Sequence, residues 1–74
     1  MNTDEIKKLI RTNSNDLMRH EERVNKLRSR VNFCIECKFE EEVRIAQVRL
    51  EAMELVVYDY RQFIKGLQKL LEID

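Results

Sequence analysis

The chain has 74 residues, of which 43% are hydrophobic and 38% are charged, and its 14 basic and 14 acidic residues give a net charge of zero. A chain this short forms one domain at most, and its small core needs support from oligomerisation or a partner. The balanced charge is unlike that of a dedicated nucleic-acid binder, which carries a clear basic excess.

Composition also predicts the fold class. The chain has no proline and one glycine, so an all-α protein is expected. No apolar run approaches the ~20 residues that cross a bilayer, and no membrane association is predicted. Two cysteines are too few for a disulfide framework, and the acidic segment 1–5 does not resemble a secretory signal. These features favour a cytoplasmic protein.

The first predicted helix spans about 3–33. Asn2 or Thr3 can cap it, and Asn2 has Glu5 at the spacing of a capping box. The segment 13–16 contains residues that prefer caps and turns, so a break or a continuous helix is possible there. We predict continuity, because the heptad pattern runs through this segment in phase. The core positions of this heptad seam are Ile6, Ile10, Asn13, Leu17, His20, Val24, Leu27, Val31 and Cys34.

The second predicted helix spans about 39–72 and has a heptad seam without polar interruptions. Its core positions are Phe39, Val43, Ala46, Leu50, Met53, Val57, Tyr60, Ile64, Leu67 and Leu71. Such a seam, held over more than four heptads, is typical of a helix that packs against another helix.

The two seams are out of phase, and the slip falls near 34–38. A turn there gives an antiparallel hairpin, whereas a stutter gives one rod of roughly 105 Å at ~1.5 Å per residue. Paired rods and a three-segment arrangement are further alternatives. Charge favours the hairpin, since residues 1–34 hold eight basic and five acidic side chains (+3) and residues 35–74 hold six and nine (−3).

A fold about Ile35 predicts which residues meet. It places Val24 opposite Ala46 and Ile10 opposite Tyr60. The charged pairs are Arg30 with Glu42 and Arg28 with Glu40, and Arg23 opposite Arg49 is a mismatch. A register one helical turn away also aligns the seams.

The second helix has more apolar surface than one seam uses. We therefore expect an antiparallel helical hairpin, with heptad packing, that dimerises into a four-helix bundle or completes one with a partner. The predicted partner-binding residues are Ile45, Val48, Ala52, Leu55 and Tyr58. The predicted oligomer interface consists of Val56, Phe63, Leu67 and Leu70.

Two constellations could carry chemistry. Cys34 and Cys37 form a C-x-x-C pair, but the only other good metal donor is His20, and no βαβ context suggests redox exchange. We interpret the cysteines as small apolar residues at a helix end, with an intersubunit zinc or disulfide as the alternative. We interpret His20 as a polar core residue that specifies register. No catalytic residues, metal or cofactor are predicted.

A basic row on the first helix is the candidate nucleic-acid site. Its members recur at i, i+4, i+7 and i+11 and share one helix face, where they could follow phosphates. No aromatic side chain lies between them, so base stacking is not indicated. The basic row consists of Arg19, Arg23, Lys26 and Arg30.

These patterns predict a non-enzymatic protein–protein interaction module that acts stoichiometrically as an adaptor, assembly factor or inhibitor. The alternative is a dimeric helical regulator that binds nucleic acid through the basic row. A structural rod without a partner is a third class.

Overall fold

The computed structural model describes residues 2–72, which form an antiparallel hairpin of two long helices. Helix α1 spans Thr3–Glu36 and helix α2 spans Glu40–Glu72. The molecule measures 55 × 14 × 13 Å, and a 33-residue helix alone is about 50 Å long. The all-helical hairpin is confirmed, and the single rod of roughly 105 Å is wrong for this chain.

The first helix begins at the predicted cap. Asn2 has extended backbone angles (φ −84°, ψ 166°), and its Oδ1 atom accepts a hydrogen bond of 2.8 Å from the Glu5 backbone N–H. Asp4 and Glu5 in the first turn place negative charge beside the positive end of the helix dipole.

Helix α1 continues without a break through the segment 13–16, as predicted. The Asn13 side-chain amide donates to the Leu9 carbonyl at 2.7 Å, and the Thr12 hydroxyl donates to the Lys8 carbonyl at 3.0 Å. These side chains bond to carbonyls one turn back, so their hydrogen-bonding capacity is used without opening the backbone ladder.

The turn between the helices is a Schellman motif, with a lysine where glycine is usual. The Phe39 N–H bonds to the Cys34 carbonyl at 3.0 Å, and the Lys38 N–H bonds to the Ile35 carbonyl at 3.1 Å. Lys38 has φ 61°, the left-handed conformation that costs a non-glycine residue about 1–2 kcal/mol. A tight reversal therefore forms without glycine.

The turn lies later than predicted. Helix α1 ends at Glu36 rather than near residue 33, and Phe39, expected at the start of the second seam, lies half-exposed in the turn. Its carbonyl accepts the first helical hydrogen bond of α2, from the Val43 N–H at 2.9 Å. Three glutamates, Glu40 to Glu42, occupy the first turn of α2, where negative charge is favourable.

The core of the hairpin is the contact between the two heptad seams. Every seam position from Ile6 to Cys34 and from Val43 to Leu71 is buried or half-buried. No side chain in the described part of the chain is completely enclosed, since two helices cover each other on one side only. The most buried residues are Ile6, Val24, Val31, Cys34, Ala46, Val57, Ile64 and Leu67.

The register of the hairpin differs from the predicted one. The His20 ring lies against Tyr60, whereas a fold about Ile35 places His20 opposite residue 50, ten positions earlier. The later turn accounts for about six positions, because moving a pivot by three residues moves each partner by six. The remaining shift of about four positions corresponds to one helical turn. Val24 consequently lies with Val57 rather than with Ala46.

Candidate interaction surfaces

The predicted partner-binding residues form an exposed stripe on the back of α2. Positions 45, 48, 52 and 55 repeat at helical spacing and lie half a turn away from the buried seam. All five members are exposed, and Leu55 reaches 66% of its full accessibility. We call this set the outer stripe: Ile45, Val48, Ala52, Leu55 and Tyr58.

Two arginines border the outer stripe near the turn. Arg44 and Arg49 lie on either side of Ile45 and Val48 in one shallow depression. Both guanidinium groups are on exposed residues. An incoming apolar side chain would therefore meet an apolar surface with positive charge on two sides.

The predicted oligomer interface is only partly available at the surface. Phe63 and Leu70 are 51% and 48% exposed, and Val56 is half-buried on the same flank of α2. Leu67, however, is 5% exposed. It occupies a seam position and packs in the hairpin core, so it is not a surface contact in this fold.

One broad face of the hairpin carries the ion pair that joins the two helices. Arg61 donates to Glu21 across the helices at 2.7 Å. Arg28 and Glu54 line the same groove, over a floor that includes Val24 and Val57. We call this the closed face. The predicted pair of Arg28 with Glu40 is replaced by this arrangement, because the register is shifted.

The basic row lies on the opposite broad face and is fully exposed. Within residues 2–72, its only ion pair joins Arg19 to Asp16 of the same helix at 4.0 Å. Arg30 and Glu42 line one groove, together with Arg49, but do not form the predicted ion pair. In the described part of the chain, no acidic residue of α2 forms an ion pair with this row.

His20 combines a core position with an unsatisfied polar atom. Its ring centroid lies 5.0 Å from that of Tyr60, with the two planes inclined by 45°. Its Nδ1 atom is buried and has no hydrogen-bond partner in the described part of the chain. A buried polar atom without a partner reduces stability, so His20 is a costly residue at this position.

The two cysteines lie in different environments. Cys34 is buried in the seam, and Cys37 is exposed at the end of α1, both as free thiols. Among residues 2–72, no three His, Cys, Asp or Glu side chains lie close enough together to hold a metal ion.

The fold and surfaces define an all-α helical hairpin, with an inter-helix ion pair on one broad face and the basic row on the other. No family model, no curated protein and no solved structure matches the chain. None of the helices described is long and apolar enough to span a membrane. The division into two unlike faces was missed by sequence reasoning, although the charges at positions 21, 28, 54 and 61 carry its signal.

Proposed function

We propose that this hairpin is a non-enzymatic interaction module that binds another protein stoichiometrically, as an adaptor, assembly factor or inhibitor. The observation that carries this proposal is the outer stripe, which α1 leaves uncovered. Ordinary surface leucines and valines occur singly, whereas contiguous apolar side chains at helical spacing on an exposed face are typical of protein contacts. The two free thiols suit a reducing cytoplasm.

We further propose that two hairpins associate into a four-helix bundle. The contacts would be Phe63 and Leu70, supported by the half-buried Val56 and by Leu9 of α1. A second layer would cover these side chains, and a small two-helix domain gains stability from such cover.

The dimer is tested by sedimentation equilibrium of the purified chain. We expect twice the chain mass for the natural sequence and the single-chain mass for Phe63→Asp, because a carboxylate in an apolar interface is costly. Met18→Asp, at a position 61% exposed on α1, is the matched control and should remain dimeric. A monomeric natural protein would contradict the dimer without affecting the outer stripe.

Partner binding is tested by affinity capture followed by mass spectrometry. A specific protein should be retained at 0.5 M NaCl and lost with Leu55→Asp but not with Met18→Asp. Loss with both variants, or retention with both, would show that the outer stripe is not the contact.

A nucleic-acid-binding regulator is the second candidate, favoured by the basic row and its lack of ion pairs to α2. Binding of a DNA or RNA duplex should then weaken steeply with salt, since phosphate contacts release counterions. It should also be lost when the basic row is replaced by glutamine. Salt-independent behaviour would exclude this candidate.

A further inference from the structure

The two broad faces differ in how their charges are balanced. On the closed face, Glu21 pairs with Arg61, and Arg28 shares the groove with Glu54. On the other face, Arg30 of α1 and Arg49 of α2 line one groove together with Glu42, and none of the three forms an ion pair within residues 2–72. The groove on this face thus holds two positive charges and one negative charge, whereas the groove on the closed face holds two of each.

The basic row extends this positive charge along α1. Lys26, Arg23 and Arg19 precede Arg30 by four, seven and eleven residues, so they share its helix face. The Arg19–Asp16 pair is the single ion pair of this row in the described chain, and both side chains are exposed. Such a pair contributes little, and the charge of the row remains open to a partner.

Helix α2 contributes apolar side chains to the same face, beside the charged Glu42 and Arg49. Ile45 and Ala46 line the groove with Arg30. Ala52 follows Ile45 by seven residues, and Val56 follows Arg49 by seven, so both continue this side of α2. We call the combination the open face: a basic edge on α1 and an apolar edge on α2.

The two edges together restrict which kind of molecule can bind the open face. Nucleic acid would complement the basic edge but leave the apolar edge against phosphate and water. A second copy covering the whole face would place the basic row against itself or against the apolar edge, which is unfavourable for like charges and for buried ones. Dimerisation through Phe63 and Leu70 uses the far half of α2 and does not fill this groove.

We infer that the open face binds an amphipathic helix of another protein, which presents acidic side chains to α1 and apolar side chains to α2. This inference rests on the proposed interaction function and specifies the chemistry of its partner. The bound helix would lie along the hairpin between residues 19 and 30 of α1, a length of about 17 Å at 1.5 Å per residue. Carboxylates would pair with the basic row, and apolar side chains would cover Ile45 and Ala52.

Two designed peptides of 21 residues test this chemistry. Both carry the same leucine stripe, flanked in one by glutamate and in the other by lysine, and circular dichroism verifies that both are helical. Fluorescence anisotropy at 50 mM NaCl then gives their affinities for the full chain. We expect the glutamate peptide to bind at least tenfold more tightly than the lysine peptide.

Variants locate the preference on the open face. The triple change Arg19→Gln, Arg23→Gln and Lys26→Gln should remove the tenfold preference. The matched control changes three exposed basic residues away from this face and should keep it: Lys7→Gln, Arg11→Gln and Lys65→Gln.

Four outcomes would overturn the inference: equal affinities for the two peptides, no binding of either, tighter binding of a 20-base-pair DNA duplex, or an equal loss in the control triple. Equal affinities that both fall with Ala52→Asp would leave the general interaction function standing and remove only the acidic specificity. Failure of both proposals would therefore be distinguishable from failure of this one.

Discussion

Helices α1 and α2 are nearly equal in length, with 34 and 33 residues, but they differ in the amount and placement of their apolar side chains. Helix α1 has one apolar seam, which contains Asn13 and His20, and the turn that follows it contains the strained Lys38. Helix α2 has an uninterrupted seam and further apolar side chains that α1 does not cover. Helix α1 therefore includes polar seam residues that reduce stability, whereas α2 supplies both its half of the core and the apolar surface proposed for partners.

The largest expected effect separates the inner and outer sides of α2. Val57→Asp should lower the free energy of unfolding by about 3–5 kcal/mol, since it places an unpaired carboxylate in the core at a position 6% exposed. Leu55→Asp, two residues away on the outer stripe, should change it by no more than about 0.5 kcal/mol. Urea unfolding followed by circular dichroism measures both. Similar losses would show that the back of α2 is covered in solution, as it would be if chains assembled through it.

Replacing His20 with an apolar residue should stabilise the hairpin. In His20→Leu the buried Nδ1 without a partner is lost, and apolar burial is gained, so the free energy of unfolding should rise by about 1–2 kcal/mol. The same urea titration tests this change. A fall in stability would show that the contact of His20 with Tyr60 outweighs the cost of the unsatisfied nitrogen.

The turn offers the next smaller effect. Lys38→Gly should raise the melting temperature, with a gain of about 1 kcal/mol, because glycine adopts the left-handed conformation without the side-chain clash. Lys65→Gly, in the middle of α2, is the matched control and should cost about 1 kcal/mol. If Lys38→Gly is destabilising, the turn in solution does not have the Schellman geometry.

The smallest effect concerns the closed face. Arg61→Gln should lower the free energy of unfolding by about 0.2–1 kcal/mol at low salt, and the difference should shrink in 1 M NaCl, since Arg61 and Glu21 are both accessible to solvent. A double-mutant cycle with Glu21→Gln isolates the pair. A coupling energy of zero at low salt would remove this contact as a determinant of register.

Much of the architecture could be predicted from the sequence. Every predicted seam position except Phe39 is buried or half-buried, the cap at Asn2 forms, and α1 continues through residues 13–16. These features depend on local spacing and local hydrogen bonds, which a single helix already determines. The exposure of the outer stripe follows from the same periodicity.

The register and the two unlike faces were not predictable in the same way. The turn depends on Lys38 adopting a conformation that its residue type disfavours, and the hydrogen bonds to Cys34 and Ile35 compensate for that strain. Shifting the turn changes which charges meet, so the pairs predicted for Arg28 and Arg30 did not form. Leu67 was predicted both as a seam position and as an oligomer contact, and in the hairpin it is buried in the core.

The sequence by itself therefore determined that the chain is helical, where its apolar seams lie and that α2 carries apolar surface in excess. Periodicity decides these properties, because every third or fourth residue shares a helix face whatever lies opposite. Only the tertiary structure decided that Glu21 meets Arg61 and that Arg30, Glu42 and Arg49 line one groove. Those facts depend on how far the two helices are offset, and the offset follows from the hydrogen bonds and backbone geometry of the turn at residues 37–39.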